Sequence, residues 1–316
     1  VNIGIDSKPD SDLEKRKAIF KVQSEVMRCA RKFLEAEGFL EVLSPVFESF
    51  TDTGIGDAEF FEIDYYGKRY KLMSALTIHK PILVTQLGDM FSFTPCSRKE
   101  PAEVRPVKRH LSQFYQIEVE MEGGFDQAVE KLERMIKHII DEIKVSCDEE
   151  LKLLGRQLAS PKLPFKRITY KEALEMAKQL GIPFDAKTGI SWSIEKRLSA
   201  HIGEPFFITR FPTALIEDRG FLYKANGDTL LDFDLILPEG HGEVSSGSER
   251  EFEYEKIVKK IGEERINSFK DYLEIIKAGL KPTAGFGVGV ERLTKFICGL
   301  EDISDASPFP KTPGGS

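Results

Sequence analysis

The stretch from Phe91 to Met121, FSFTPCSRKEPAEVRPVKRHLSQFYQIEVEM, constrains the fold of this chain more than any other. It opens as an apolar run and breaks into a loop dense in proline, arginine and lysine. It returns as an alternating segment in which Phe114, Ile117 and Val119 interleave with Gln113, Gln116, Glu118 and Glu120. Two strands joined by a basic loop meet that pattern, because strict alternation marks a strand with one buried face. Arg98, Arg105, Lys108 and Arg109 crowd into a chain whose formal charge is -7, so the positive charge is local. A concave basic loop on a sheet suits a polyphosphate. A solvated hairpin loop has the same composition, and the stretch alone does not separate the two.

With 316 residues, 41% hydrophobic and 31% charged, the chain can fill one large core or two modest ones, and its composition is that of a globular protein. No apolar run reaches the length of a membrane span, and the opening VNIGIDSKPD is polar where a signal peptide needs an apolar core. A cytoplasmic protein that does not engage a membrane is expected. Cys29, Cys96, Cys147 and Cys298 lie far apart with no CxxC pair, which indicates neither a zinc knuckle nor a disulfide framework and reads as small buried hydrophobes. The negative net charge argues against gripping nucleic acid over the whole surface, though a local groove stays open.

Along the chain, Ser11-Asp12-Leu13-Glu14 reads as a capping box. Ile19, Val22, Val26, Cys29 and Phe33 then recur at helical spacing until Gly38. A short strand follows in GFLEVLSPVFESF, then a polar loop from Thr51 to Gly56 able to act as a lid, and a hairpin with strands Glu59 to Tyr65 and Arg69 to Met73. Ser74 to Gln86, Phe125 to Cys147, the segment capped at Thr169, Ser193 to Ile202, the stretch ending near Ile261 and Phe269 to Ala278 read as helices. Leu151 to Lys166 reads as a linker, and Phe206 to Thr209 and Leu230 to Leu237 as strands.

Three separated segments hold what a nucleoside triphosphate requires. In the first, an arginine such as Arg98 can brace a phosphate under attack, the carboxylate of Glu100 can accept from an adenine amino group, and Phe114 can stack on the base. In the second, DLILPEGHGEVSSGSER, Asp234 and Glu243 can hold Mg²⁺ through oxygen and Arg250 can grip a carboxylate bidentately. In the third, GFGVGVERLTKF, alternating glycines bare one face of a strand and Arg292 opens the next helix. Neither a Walker A loop nor a GxGxxG fingerprint is present there.

GFLEVLSP, RKE…RHLSQFYQIEVE and GFGVGVER, in that order, resemble motifs 1, 2 and 3 of class II aminoacyl-tRNA synthetases. YLEIIKAG, EVSSGSERE and PFPKTPG are similar to sequences of the subgroup handling aspartate and asparagine. The resemblance implies an α+β fold, a six-stranded antiparallel sheet flanked by helices, in a single catalytic domain over residues 1–316. It implies a symmetric homodimer through Ile19 to Pro45. An anticodon-reading β-barrel, which precedes motif 1 in the tRNA synthetases of the subgroup, is not expected, and the DLILPEGHGEVSSGSEREFEYEKI segment resembles the archaeal stand-alone cores that make asparagine.

On this resemblance Arg98 contacts the α-phosphate, Glu100 the adenine, Phe114 stacks on the ring, and Arg292 closes from the other side while meeting the γ-phosphate. Arg109 and His110 lie by the pyrophosphate, Asp234 and Glu243 bind Mg²⁺, and Glu118 faces the substrate amine. Lys80 and Arg250 hold a carboxylate of aspartate, with Ser74 beside them, and Arg98, Arg292 and Arg250 form the catalytic set. Three positions depart from the subgroup: Gln113 stands for Glu, Ser97 for an aromatic and Arg210 for Asp.

The implied chemistry is activation of a carboxylate by ATP to an acyl-adenylate. With no anticodon-reading barrel expected, the resemblance favours an ammonia-using asparagine synthetase acting on aspartate through its β-carboxylate, with ATP and Mg²⁺ and without tRNA. A synthetase-like enzyme acylating tRNA or another macromolecule is the alternative, and a non-catalytic regulatory paralogue is the third.

Overall fold

The computed structural model describes residues 10–183 and 190–315. The chain enters with α1 (Asp10–Ala36), followed by β1 (Leu40–Glu41), β2 (Phe47–Glu48) and the hairpin β3 (Glu62–Tyr65) and β4 (Lys68–Leu72). Tyr66 and Gly67, at φ 53° and 77°, make the two-residue turn of that hairpin. Next come α2 (Lys80–Leu87), β5 (Met90–Ser97), β6 (Gln113–Glu122), α3 (Phe125–Ser146), α4 (Asp148–Leu153), β7 (Lys166–Thr169), α5 (Tyr170–Gln179) and α6 (Trp192–Ile202). The last third holds β8 (Phe206–Thr209), α7 (Ile216–Arg219), β9 (Ala225–Asn226), β10 (Thr229–Leu230), β11 (Asp232–Leu237), β12 (Gly242–Glu249), α8 (Tyr254–Ile261), α9 (Lys270–Ile276), β13 (Thr283–Gly289) and α10 (Val290–Cys298).

Eight strands form the main sheet in the order β1-β5-β6-β13-β12-β11-β8-β7. The six central strands are antiparallel, as expected, while β1 and β7 extend the sheet at its two edges by parallel pairing. Among the described residues no barrel closes. Strand alternation divides the sheet's two faces. Ile117, Val119, Phe233, Leu235, Phe286 and Val288 turn to one face and join the buried side chains of α1, α3 and α10. Their sequence neighbours Glu118, Glu120, Asp232, Asp234, Gly285 and Gly287 turn to the other. Fully burying one large apolar side chain contributes roughly 1.5–3 kcal/mol, so the helical face carries the stability and the opposite face is left for chemistry.

Two local expectations are corrected. The helix expected from Ser74 begins only at Lys80, because Pro81 sits in its first turn and the Leu76 N–H donates to Glu118 Oε1 (3.1 Å) rather than waiting for a helical partner. The linker expected from Leu151 to Lys166 instead continues α4 as far as Leu153, and Lys166 begins edge strand β7, which pairs with β8. The cap at Thr169 is as expected, its hydroxyl accepting from Glu172 N at 3.2 Å. The side chain of Ser11 lies outside the described residues. All four cysteines are free and buried.

Candidate active site

The polar face of the sheet carries a pocket lined by residues from all three of the segments singled out in the sequence, among them Arg98, Glu100, His110, Phe114, Glu243 and Arg292. Motif 2 supplies two antiparallel strands in the register Ser97↔Gln113 and Cys96↔Phe114, which puts the phenyl ring of Phe114 beside the Arg98 guanidinium, 5.3 Å from the ring centroid. Arg98 Nε donates to the Ser74 carbonyl at 3.2 Å. Burial raises the Glu100 carboxyl above its ordinary range, against the opposing pull of Arg98 and Arg292. Burial, with Arg292 and Arg109 nearby, pushes His110 down to about 3, so its imidazole is neutral at pH 7.

Glu243 is the hub of the pocket's arginine-rich end. Arg109 donates to its Oε2 at 2.9 Å and Arg292 to the same oxygen at 3.0 Å, while Arg109 also meets Glu195 at 3.1 Å. Burial alone would raise Glu243, but these arginines outweigh it and hold the carboxyl low. The Arg109 guanidinium lies over Trp192, 4.7 Å from the ring. Glu195 and Trp192 come from α6, outside the three motifs, and nothing in their spacing singles them out.

Lys80 is fully buried, with its ammonium on Glu118 Oε2 (2.7 Å) and on the carbonyls of Val119 (3.2 Å) and Phe286 (3.0 Å). Arg250 is buried with it, placing Nε and Nη2 on Glu120 (3.0 and 3.1 Å) and Nη1 on Ser248 Oγ (2.9 Å). Two cations and two carboxylates therefore neutralise one another at the pocket's inner wall. Ser74, also expected as a substrate contact, is fully buried and hydrogen-bonds Thr51 Oγ1 (2.9 Å) and the Asp52 carbonyl (2.8 Å), at the root of the Thr51 to Gly56 loop.

The alternating glycines divide their work. Gly287 and Gly289 line the pocket, but a Cβ on Gly285 would overlap Glu120 Oε2 and the Val119 carbonyl, so that bare position is filled by the neighbouring strand's own carboxylate. The three departures fall away from this pocket. Ser97 and Gln113 line a separate cleft, and Arg210, at φ 62°, stacks its guanidinium on Phe125 at 4.9 Å.

Asp234 is expected as a magnesium ligand, and the residues around it do not fit that role. Both of its carboxylate oxygens accept from Arg219, at 2.8 and 2.9 Å. Glu243 offers oxygen, as Mg²⁺ prefers, yet among the described residues no group of three metal-ligating side chains gathers anywhere. The sequence gives little warning of Arg219, which sits in IEDRG without periodicity or motif.

The family model for class II tRNA synthetases (D, K and N) matches residues 10–313. An asparagine–tRNA ligase of Pelotomaculum thermopropionicum is 31% identical over 307 residues, spanning 94% of this chain and 69% of that protein. An aspartate–tRNA(Asp/Asn) ligase of Methanopyrus kandleri is 32% identical over 305 residues, spanning 94% of this chain and 68% of that one. Among solved structures, asparaginyl-tRNA synthetase of Pyrococcus horikoshii complexed with asparaginyl-adenylate superposes with a TM-score of 0.87 at 26% identity, over 98% of this chain and 74% of the other. Enzymes of this class use ATP and Mg²⁺ generally. No helix among the described residues is long and apolar enough to cross a membrane.

These relatives overturn the reading as an ammonia-using asparagine synthetase without tRNA, since they join asparagine or aspartate to tRNA. That reading leans on the expectation that no anticodon-reading barrel precedes the first motif, and the relatives that match this chain do not support it. With motifs 1 to 3 in order, the antiparallel sheet in place and the match running nearly end to end, this chain belongs to the class II tRNA synthetases of the aspartate, lysine and asparagine family.

Proposed function

We propose that this chain activates aspartate or asparagine with ATP at the α-carboxylate and transfers the acyl group to tRNA. The observation that carries the reading is the convergence of Arg98, Glu100, Phe114 and Arg292 on one pocket on the sheet's polar face. Phe114 offers the base an aromatic face and Glu100 an acceptor for its amino group. Arg98 stands where the α-phosphate is attacked, so its charge stabilises the negative charge that builds on the equatorial oxygens. Arg109 and Arg292, already poised on Glu243, turn to the departing pyrophosphate. Neutral His110 donates a hydrogen bond there without adding charge. A carboxylate oxygen of the amino acid attacks phosphorus in line, and the tRNA's terminal ribose hydroxyl then attacks the acyl carbon as AMP leaves.

Glu118 borders the amino-acid end, and Lys80 and Arg250 stand behind it as a neutralised wall. A homodimer forms through the segment after α1, where Leu40, Leu43, Val46 and Phe47 are exposed together.

Pyrophosphate exchange into ATP tests the activation step. The expected result is exchange dependent on aspartate or asparagine, cut by roughly 10²–10³-fold in Arg98→Ala, as for loss of one transition-state donor. No exchange with either amino acid overturns the reading, and comparing the two rates names the substrate.

A further inference from the structure

We propose that Arg219 is a built-in counter-cation that excludes metal from Asp234 and fixes the wall on which the Thr51 to Gly56 loop seats. The inference takes the pocket as the nucleotide site of the preceding reading, but one arm of its test needs no nucleotide.

The geometry is saturated. Arg219 Nη1 and Nη2 donate to the two oxygens of Asp234 (2.8 and 2.9 Å), and Nε donates to Asp232 Oδ2 at 2.9 Å. Asp232 Oδ1 accepts from Phe211 N at 3.0 Å, so that carboxylate too has both oxygens engaged. The guanidinium carbon lies 3.9 Å from the centroid of the Phe211 ring, which covers its face, and the side chain is only 14% exposed. A planar fork on a carboxylate, stacked on an aromatic and largely shielded from water, is the arrangement in which arginine holds best and a point-like cation competes worst.

A divalent ion at Asp234 would have to displace two charge-assisted hydrogen bonds. It would also leave a largely buried guanidinium facing the ion across the same carboxylate. Both aspartates face the pocket side of β11 because they alternate with the core residues Phe233 and Leu235. Without Arg219 the chain would bury two like charges two residues apart.

The same pair fixes backbone. Arg219 ends α7, and Gly220 follows at φ +117°. A Cβ built on Gly54 would lie 2.8 Å from the Arg219 carbonyl group and 2.8 Å from Gly220 N. The loop therefore rests directly on the peptide that the Arg219–Asp234 bonds hold still. Arg219 acts here as a positioning residue, through Asp234 and through the loop's seat.

The test is Mn²⁺ binding to the full chain, followed by electron paramagnetic resonance with and without a non-hydrolysable ATP analogue. Without nucleotide, the wild type is expected to leave Mn²⁺ free. Arg219→Met is expected to gain a site at least tenfold tighter, which the double variant Arg219→Met/Asp234→Asn loses again. With the analogue, Asp234→Asn is expected to bind Mn²⁺ within twofold of wild type. A tenfold loss in Asp234→Asn with the analogue would make Asp234 a metal ligand and overturn the proposal, as would an Arg219→Met variant that folds and gains no site. If Arg219→Met does not fold, the Asp234→Asn measurement decides alone. Failure of the amino-acid activation reading would leave the nucleotide-free result standing, so the two failures are distinguishable.

Discussion

Glu291 accepts the backbone N–H of Tyr115 on both carboxylate oxygens, at 3.2 and 3.0 Å, and so ties the helix that begins within motif 3 to the outgoing strand of motif 2. Its neighbours in sequence are Arg292 and, across the bond, Phe114. One carboxylate therefore spaces the arginine and the aromatic ring assigned to opposite sides of the adenine.

Burial raises Glu291 from an ordinary 4.5 to about 7, although the Tyr115 N–H pulls the other way. The folded state thus binds this proton more tightly than the unfolded chain does. For this group, stability is highest below pH 4.5, falls as the pH climbs toward 7, and levels off above it. Each tenfold difference in proton affinity is worth about 1.4 kcal/mol, so the loss is on the order of 3 kcal/mol. Glu291→Gln keeps an acceptor for Tyr115 and removes the titration. Denaturant midpoints between pH 5 and 8 are expected to slope less in the variant than in the wild type, and parallel slopes would refute the assignment.

Lys80→Met separates a structural cation from a substrate contact. Removing the ammonium leaves Glu118, and Glu120 at 3.5 Å, buried beside one cation instead of two. Breaking a buried pair in this way costs about 3–5 kcal/mol. Urea denaturation is expected to show that loss. If stability is unchanged and only the KM for the amino acid rises, Lys80 is a substrate ligand and not part of the scaffold.

Leu43 is 97% exposed and lies beside Val46 and Phe47 in the motif 1 segment. Leu43→Asp adds a charge to that patch without touching the core. Analytical ultracentrifugation is expected to give a dimer for the wild type and a shift of at least tenfold toward monomer for the variant. A monomeric wild type would rule out this face as the interface.

Much of the fold is legible in the sequence because its signals are local. Alternation in QFYQIEVEM, the Thr169 cap and the glycine-punctuated strand before Arg292 each specify an element from neighbouring residues alone. The edge strand β7 is not legible, because four residues between Pro164 and the helix that starts at Tyr170 carry no periodicity and form a strand only by pairing with Phe206–Thr209. At the site, residue types predict which side chains line the pocket, but not whom they bind there. The sequence leaves Lys80 and Arg250 free to meet a carboxylate, whereas strand register brings Glu118 and Glu120 against them. Asp234 looks like a metal ligand for the same reason: Arg219, fifteen residues earlier, meets it only after the chain has turned back.

Charging of tRNA tests the central claim most directly. Purified protein, ATP and labelled aspartate or asparagine are incubated with tRNA(Asp) and tRNA(Asn) transcripts, and acylated tRNA is resolved on acid gels. Amino-acid-dependent acylation of at least one transcript, abolished in Arg292→Ala, is the result expected. Robust adenylate formation with no acylation of either transcript would contradict it.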